Sequence, residues 1–255
     1  MKRFAILLFT VISIAVMANP ATVKLEYNFE NNPFQAFQMS TKTQTEFTMF
    51  GMDQKTGSEL ILNINREAQK TNRTGIYKVK NTVDSGKIII QGKESKYGGE
   101  GSFTEVMMDR TGKILENITE GKEITELQVN FPDKAVKIGD VWGTKARFDI
   151  SDIAQDQKNL EVAITFIFKG YETYRGTKCA VIESRFETNR VNDRYLKLEI
   201  KGNGKIYFAY EEGKMLSNFS KLKIDLDLKS DDNKDRRLAT VFALSVDMLT
   251  QLTSM

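Results

Sequence analysis

The chain has 255 residues, 40% hydrophobic and 28% charged, with 17 glycines, three prolines, one cysteine and no histidine. That composition excludes collagen-like, low-complexity and disulfide-stapled chains. Without histidine there is no Ser-His-Asp or Cys-His nucleophile system, no histidine general base and no histidine metal site.

The formal charge of +3 drops to +1 once Lys2 and Arg3 are set aside (35 basic against 34 acidic residues), and the remaining charges interleave, as in Lys221-Leu222-Lys223-Ile224-Asp225. No clustered basic footprint suggests nucleic acid as a partner, and no polybasic patch suggests a membrane surface.

Met1-Lys2-Arg3 is a positively charged opening, residues 4–17 form an apolar run of 14, and Val16-Met17-Ala18 places small or modest side chains at a cleavage site. This is the pattern of a secretory signal peptide over residues 1–18, since 14 apolar residues fall short of the ~20 that a spanning helix needs. The expected protein is exported, to the periplasm or beyond. With no cysteine at the cleavage site, lipoprotein acylation there is not expected.

Period-two alternation then dominates. It runs through Leu60, Leu62 and Ile64; through Leu160, Val162, Ile164, Phe166 and Phe168; through Leu196, Leu198 and Ile200; and through Leu222, Ile224, Leu226 and Leu228. Each pattern predicts a strand with one apolar and one wet face. Asp84-Ser85-Gly86, Tyr97-Gly98-Gly99, Asp109-Arg110-Thr111-Gly112, Gly202-Asn203-Gly204 and Glu211-Glu212-Gly213 read as hairpin turns. Residues 31–39 and 151–158 are at most short helical turns. The predicted class is all-β: a large antiparallel curved sheet or half-barrel of about twelve strands.

Gly112-Lys113-Ile114-Leu115-Glu116-Asn117-Ile118-Thr119 matches Gly213-Lys214-Met215-Leu216-Ser217-Asn218-Phe219-Ser220 at an offset of 101 residues, and Gly99-Glu100-Gly101 upstream matches Gly202-Asn203-Gly204 at 103. Two similar β units are therefore expected, 19–130 and 143–255, joined by 131–142 and able to share one sheet.

Cys179 lies in the strand-like Lys178-Cys179-Ala180-Val181-Ile182, where a buried core side chain is expected. Glu105 is the one carboxylate that the Gly-x-Gly alignment sets on an apolar face, because Phe103, Glu105 and Met107 there correspond to Ile206, Phe208 and Tyr210. Burial would raise its pKa, but a different strand facing is the simpler reading. Asp231, Asn233 and Asp235 have the spacing of a calcium loop, yet Arg236 and Phe242 replace its glycine and its glutamate. Asn72, Asn117 and Asn218 are glycosylation sequons that matter only in a eukaryotic secretory pathway. No cofactor and no metal is expected.

The connecting segment reads Phe131-Pro132-Asp133-Lys134-Ala135-Val136-Lys137-Ile138-Gly139-Asp140-Val141-Trp142. It resembles a Pro-x-x-Pro-Val-x-x-Gly-Asp-x-Trp stretch of exported, β-rich bacterial proteins of uncharacterised function, with Ala135 at the second proline. That resemblance implies export and β architecture, and brings no catalytic residue with it. A looser similarity, in strand number and localisation, is to the open half-barrels of LolA-like periplasmic lipoprotein carriers.

Phe103, Met107, Trp142, Phe166, Phe168, Phe208 and Tyr210 are the candidate ligand-binding residues, since aromatic and methionine linings suit lipids. The expected function is non-enzymatic binding of a lipid or other apolar small molecule, or of an envelope protein. The alternatives are a structural module with a filled core and an outer-membrane barrel.

Overall fold

The computed structural model describes residues 20–49, 52–119, 129–149, 159–188, 191–192, 196–231 and 238–255. The expected signal peptide through residue 18, the expected turn at 151–158, and Asn233, Asp235 and Arg236 of the candidate calcium loop lie outside the described residues.

Among the described residues the strands are β1 (Phe34–Met49), β2 (Met52–Lys70), β3 (Ile76–Ile90), β4 (Lys93–Lys96), β5 (Phe103–Asp109), β6 (Ile114–Asn117), β7 (Val141–Asp149), β8 (Asn159–Tyr174), β9 (Thr177–Thr188), β10 (Val191–Asn192), β11 (Leu196–Ala209), β12 (Lys214–Asp231) and β13 (Leu238–Ser254). All belong to one antiparallel sheet in the order β6-β5-β3-β2-β1-β13-β12-β11-β9-β8-β7, with β4 beside β3 and β10 beside β11. From β1 the chain works outwards to one edge at β6, crosses to the other edge at β7, and returns to β13. First and last strands then pair from Phe37↔Ser254 to Met49↔Phe242. That junction is the one an up-and-down barrel uses to close. Here the opening falls between β6 and β7, and the sheet is a curved half-barrel.

Displaced by 101 residues, β1, β2, β3, β5 and β6 fall against β7, β8, β9, β11 and β12 in the same order. β13 is left over, and it lies between β1 and β12. No helix among the described residues is long and apolar enough to cross a membrane.

The alternation seen in the sequence sorts the side chains by face. Phe37, Met39, Leu62, Ile64, Tyr77, Val79, Phe166, Phe168, Ile182, Ile206 and Phe208 are buried on the inner face. The outer face is laced with cross-strand ion pairs, among them Lys42–Glu59, Lys55–Glu46, Lys78–Glu105, Lys145–Glu161 and Lys169–Glu183.

What covers the inner face is two extended segments. Residues 20–33 run across it as a strap whose Val23, Leu25, Tyr27 and Phe29 are buried, while the connector adds Val129, Phe131 and Val136. Strap and connector meet in the Val23↔Val136 bridge. Tyr27 stacks on Phe29 at 5.3 Å and meets Phe208 edge-on at 5.4 Å, and Phe131 lies 4.6 Å from Phe208.

Two expectations are corrected. Asp84-Ser85-Gly86 is not a turn: β3 continues through it with a bulge, Ile64 pairing with Val83 and Asn63 with Ser85. Gly202-Asn203-Gly204 also lies inside a strand, β11, where a Cβ on Gly204 would come within 2.5 Å of the Ser184 hydroxyl and 2.7 Å of the Phe219 carbonyl. The glycine there permits close packing, with no change of direction. Residues 31–39 hold only the end of a turn, in which the Asn32 amide donates to the Asn28 carbonyl at 3.0 Å, before β1 starts at Phe34 and pairs at once with β2. Tyr97-Gly98-Gly99, Asp109–Gly112 and Glu211–Gly213 are turns as read.

Candidate functional site

The connecting motif is legible residue by residue. Gly139 has φ +92°. Its amide donates to the Phe168 carbonyl at 2.8 Å, and the Asp140 carbonyl accepts from the Phe168 amide at 3.0 Å, fixing the turn to β8. The Asp140 carboxylate accepts from the Lys137 amide at 3.0 Å, closing the turn locally. Trp142, two residues on, sends its indole N–H to the Asn130 carbonyl at 2.7 Å and stacks on Phe166 at 5.7 Å. Gly, Asp and Trp together therefore lock the connector to the edge of the sheet.

The two matched hairpins clasp the strap between them. The Arg110 carbonyl of the β5–β6 turn accepts from the Tyr27 amide at 2.7 Å, and the Gly213 carbonyl of the β11–β12 turn accepts from the Asn28 amide at 2.8 Å. Gly112 and Gly213 both hold positive φ, and a Cβ on either would strike the strap or the connector. At the rim, the Glu30 carboxylate accepts from the Tyr77 hydroxyl at 2.9 Å and from Arg110 at 2.8 Å, and pairs with Lys70 at 3.2 Å. The Tyr77 hydrogen bond first, then Lys70, holds the Glu30 carboxyl below its ordinary pKa.

The candidate ligand-binding residues divide into three groups. Phe168 and Phe208 are fully buried and Phe166 nearly so, beneath strap and connector. Trp142 and Tyr210 are half-buried at the margin of that core, where Tyr210 meets Tyr171 edge-on at 5.3 Å. Phe103 and Met107 are on the other face. Phe103 is 48% exposed with the Lys80 ammonium 4.4 Å from its ring centre, and Glu105 between them pairs with Lys78 at 2.9 Å. The inward residues of β5 are Val106 and Met108. The Gly-x-Gly alignment is one residue out of phase here, and a one-residue slip turns every side chain to the opposite face. Glu105 is thus an outer-face ion-pair member.

Beyond the strap the inner face stays apolar but is only partly covered. Leu60 and Ile88 face each other across β2 and β3, Ile164 and Phe186 across β8 and β9, and Ile200 and Ile224 across β11 and β12, with Leu222 beside them opposite Gly202. All seven apolar side chains are half-buried. A surface groove of about 650 Å³ lies instead on the charged face, lined by Glu46, Asp53, Lys55, Lys197, Glu199, Asp225 and Asp227.

Two features escaped the sequence reading. The strap shows the same period-two alternation as the strands, in Val23, Leu25, Tyr27 and Phe29. Arg66 continues the inward series Leu60, Leu62, Ile64 and stands where an apolar residue is due. It is 1% exposed, and among the described residues only its Nε is hydrogen-bonded, donating to Asn81 Oδ1 at 2.9 Å. Cys179 is buried as expected, and burial pushes its thiol up to about 11.

No family model matches this chain, and no curated protein matches it. Among solved structures it is similar to the translocator domain of the autotransporter NalP from Neisseria meningitidis, at 6% identity and TM-score 0.24 over 87% of this chain and 88% of that one. It is similar to OccK2 (OpdF) of Pseudomonas aeruginosa at 6% identity and TM-score 0.22, over 87% and 97%. A DUF1329 family protein from Desulfovibrio piger aligns at 8% identity and TM-score 0.15, over 86% and 85%. Overlaps this low establish neither a shared fold nor a shared function.

Proposed function

We propose that this is an exported protein of the cell envelope that holds a lipid or other apolar small molecule, without covalent chemistry, on the inner face of its half-barrel. The observation that carries this reading is the contrast between the two faces. Past the strap, Leu60, Ile88, Ile164, Phe186, Ile200, Leu222 and Ile224 continue the apolar inner face half-covered, while the outer face is charged and cross-paired. An apolar ligand would remove that inner surface from water, at about 25 cal/mol per Å².

The same contrast weighs against an outer-membrane barrel, whose outward residues must be apolar at the height of the lipid. The filled core around Phe168 and Phe208 favours, as second reading, a structural or interaction module that docks an envelope protein. A binding role is preferred to catalysis because Glu105, the one carboxylate that the sequence set on an apolar face, is an ion-pair member on the wet face.

Native mass spectrometry of the protein purified from the envelope, with titration of an environment-sensitive apolar dye, separates the readings. Co-purified lipid and saturable dye binding are expected. A clean apo mass with no dye uptake would leave the structural module.

A further inference from the structure

One row of side chains on the inner face breaks the apolar pattern. Gln35 on β1 pairs in register with Arg66 on β2, and Arg66 with Asn81 on β3. Their exposures are 8%, 1% and 5%, so all three are more than nine-tenths buried. The Arg66 guanidinium lies 5.5 Å from the centre of the Phe37 ring. Both of its terminal nitrogens, and both polar atoms of the Gln35 amide, have no hydrogen-bond partner among the described residues. No carboxylate pairs with Arg66 there either. A buried guanidinium left with unused N–H groups is costly, several kcal/mol in typical cases, unless an anion or other acceptor meets it. Burial lowers its pKa only to about 10, so it is charged at neutral pH.

We propose that the Gln35–Arg66–Asn81 row receives the oxyanion head of an amphiphilic ligand, with the chain laid along the inner face. This rests on the apolar-ligand reading above and specifies the ligand class as a long-chain carboxylate or a phosphate-headed lipid. A planar guanidinium with both terminal nitrogens unused matches two oxygens of one carboxylate or phosphate, and the Gln35 amide adds a further N–H beside it. From this row the inward residues become apolar, Phe37 beside Ile64 and then Met39 beside Leu62, leading to Leu60 in the half-covered region. Residues 20–33 cover this side of the inner face, with the Phe29 ring 5.1 Å from that of Tyr77 on β3, so the head reaches the row when they lift away. The backbone bonds that hold them include those at Val23, Tyr27 and Asn28.

The test compares myristate with myristyl alcohol by calorimetry, on the purified protein and on Arg66→Met and Gln35→Leu variants. The unaltered protein should bind the acid about tenfold or more tighter than the alcohol, the effect of one charge-assisted pair in a buried site, and Arg66→Met should bind both within about twofold. Equal binding of acid and alcohol by the unaltered protein would overturn the assignment while leaving an apolar site. So would a preference that survives in Arg66→Met. Inorganic phosphate or acetate competing as strongly as myristate would make the row a free-anion site and overturn the amphiphile. Binding of neither probe would overturn the assignment and the apolar-ligand reading together. Thermal melts check that Arg66→Met folds; replacing an unpaired buried charge by a similar apolar volume should hold or raise Tm. If it does not fold, the acid–alcohol ratio in the unaltered protein and in Gln35→Leu decides.

Discussion

The Tyr27 hydroxyl accepts a 2.9 Å hydrogen bond from the Val129 amide, 102 residues further along the chain and buried with it. One phenol thus ties the strap to the connector at the middle of the aromatic core. Burial, the largest influence, raises the Tyr27 pKa, so the phenol stays protonated well past neutral pH. Tyr27→Phe keeps the ring but leaves the buried Val129 N–H without its acceptor. It should cost about 1–3 kcal/mol in denaturant unfolding, and an unchanged midpoint would show that the N–H finds another acceptor.

Trp142 is the sole tryptophan of the chain, and it is half-buried against Phe166 at the margin of the core. Its emission should be blue-shifted in the native protein, should shift again when an apolar ligand occupies the neighbouring inner face, and should turn red on unfolding. A titration with lipid that binds by mass spectrometry yet leaves the emission unchanged would place the ligand elsewhere.

Gly176 and Gly213 both sit in turns with positive φ, +81° and +65°, but their surroundings differ. A Cβ at Gly176 meets nothing within 4 Å, whereas at Gly213 it would lie 2.5 Å from Asn28 N and 2.9 Å from the Glu26 carbonyl. Gly176→Ala should therefore lose only the left-handed penalty, about 1 kcal/mol. Gly213→Ala should lose about 3 kcal/mol or more, because the strap must move as well. Equal losses in thermal melts would show that the clasp on the strap contributes nothing.

Cys179 should be inert to Ellman's reagent in the native state and should react with one equivalent on unfolding, since it is buried and its thiol is held up to about 11 against an ordinary 9.0. The sign of the linkage follows. The unfolded thiol ionises first as pH passes 9, while the native one stays neutral, so this residue disfavours folding increasingly from pH 9 to about 11 and has no effect below. Cys179→Ala should flatten that part of the alkaline stability curve, and a slope identical to that of the unaltered protein would remove Cys179 as a contributor.

How much was legible can be judged from particular elements. Strand identity was open to view in the alternation of residues 60–64, 162–168 and 222–226, because an antiparallel strand with one wet face writes its period directly into the order of side chains. The turns at Asp109–Gly112 and Glu211–Gly213 were equally plain. Gly202 and Gly204 misled because glycine marks close packing as readily as a change of direction. Phe103 and Met107 misled because facing depends on register, and register depends on the partner strand. The strap was overlooked although it alternates like a strand. Its backbone pairs with a single bridge to the connector and with two turns, contacts that no local pattern encodes.

The order of residues by itself determined the class: a chain of amphipathic strands without histidine or disulfide chemistry, held by packed sheet faces. It also carries matched segments 101 residues apart, and strands displaced by that offset follow one another in the same order. Only the tertiary structure decided which strands became neighbours, that β13 joins β1, and that the opening falls between β6 and β7. It alone placed Arg66 and Gln35 side by side with the two terminal nitrogens of one and the amide of the other unanswered. The reason is physical: period and propensity act over a few residues, while pairing, burial and the partners of a buried charge are set by residues far away in the chain.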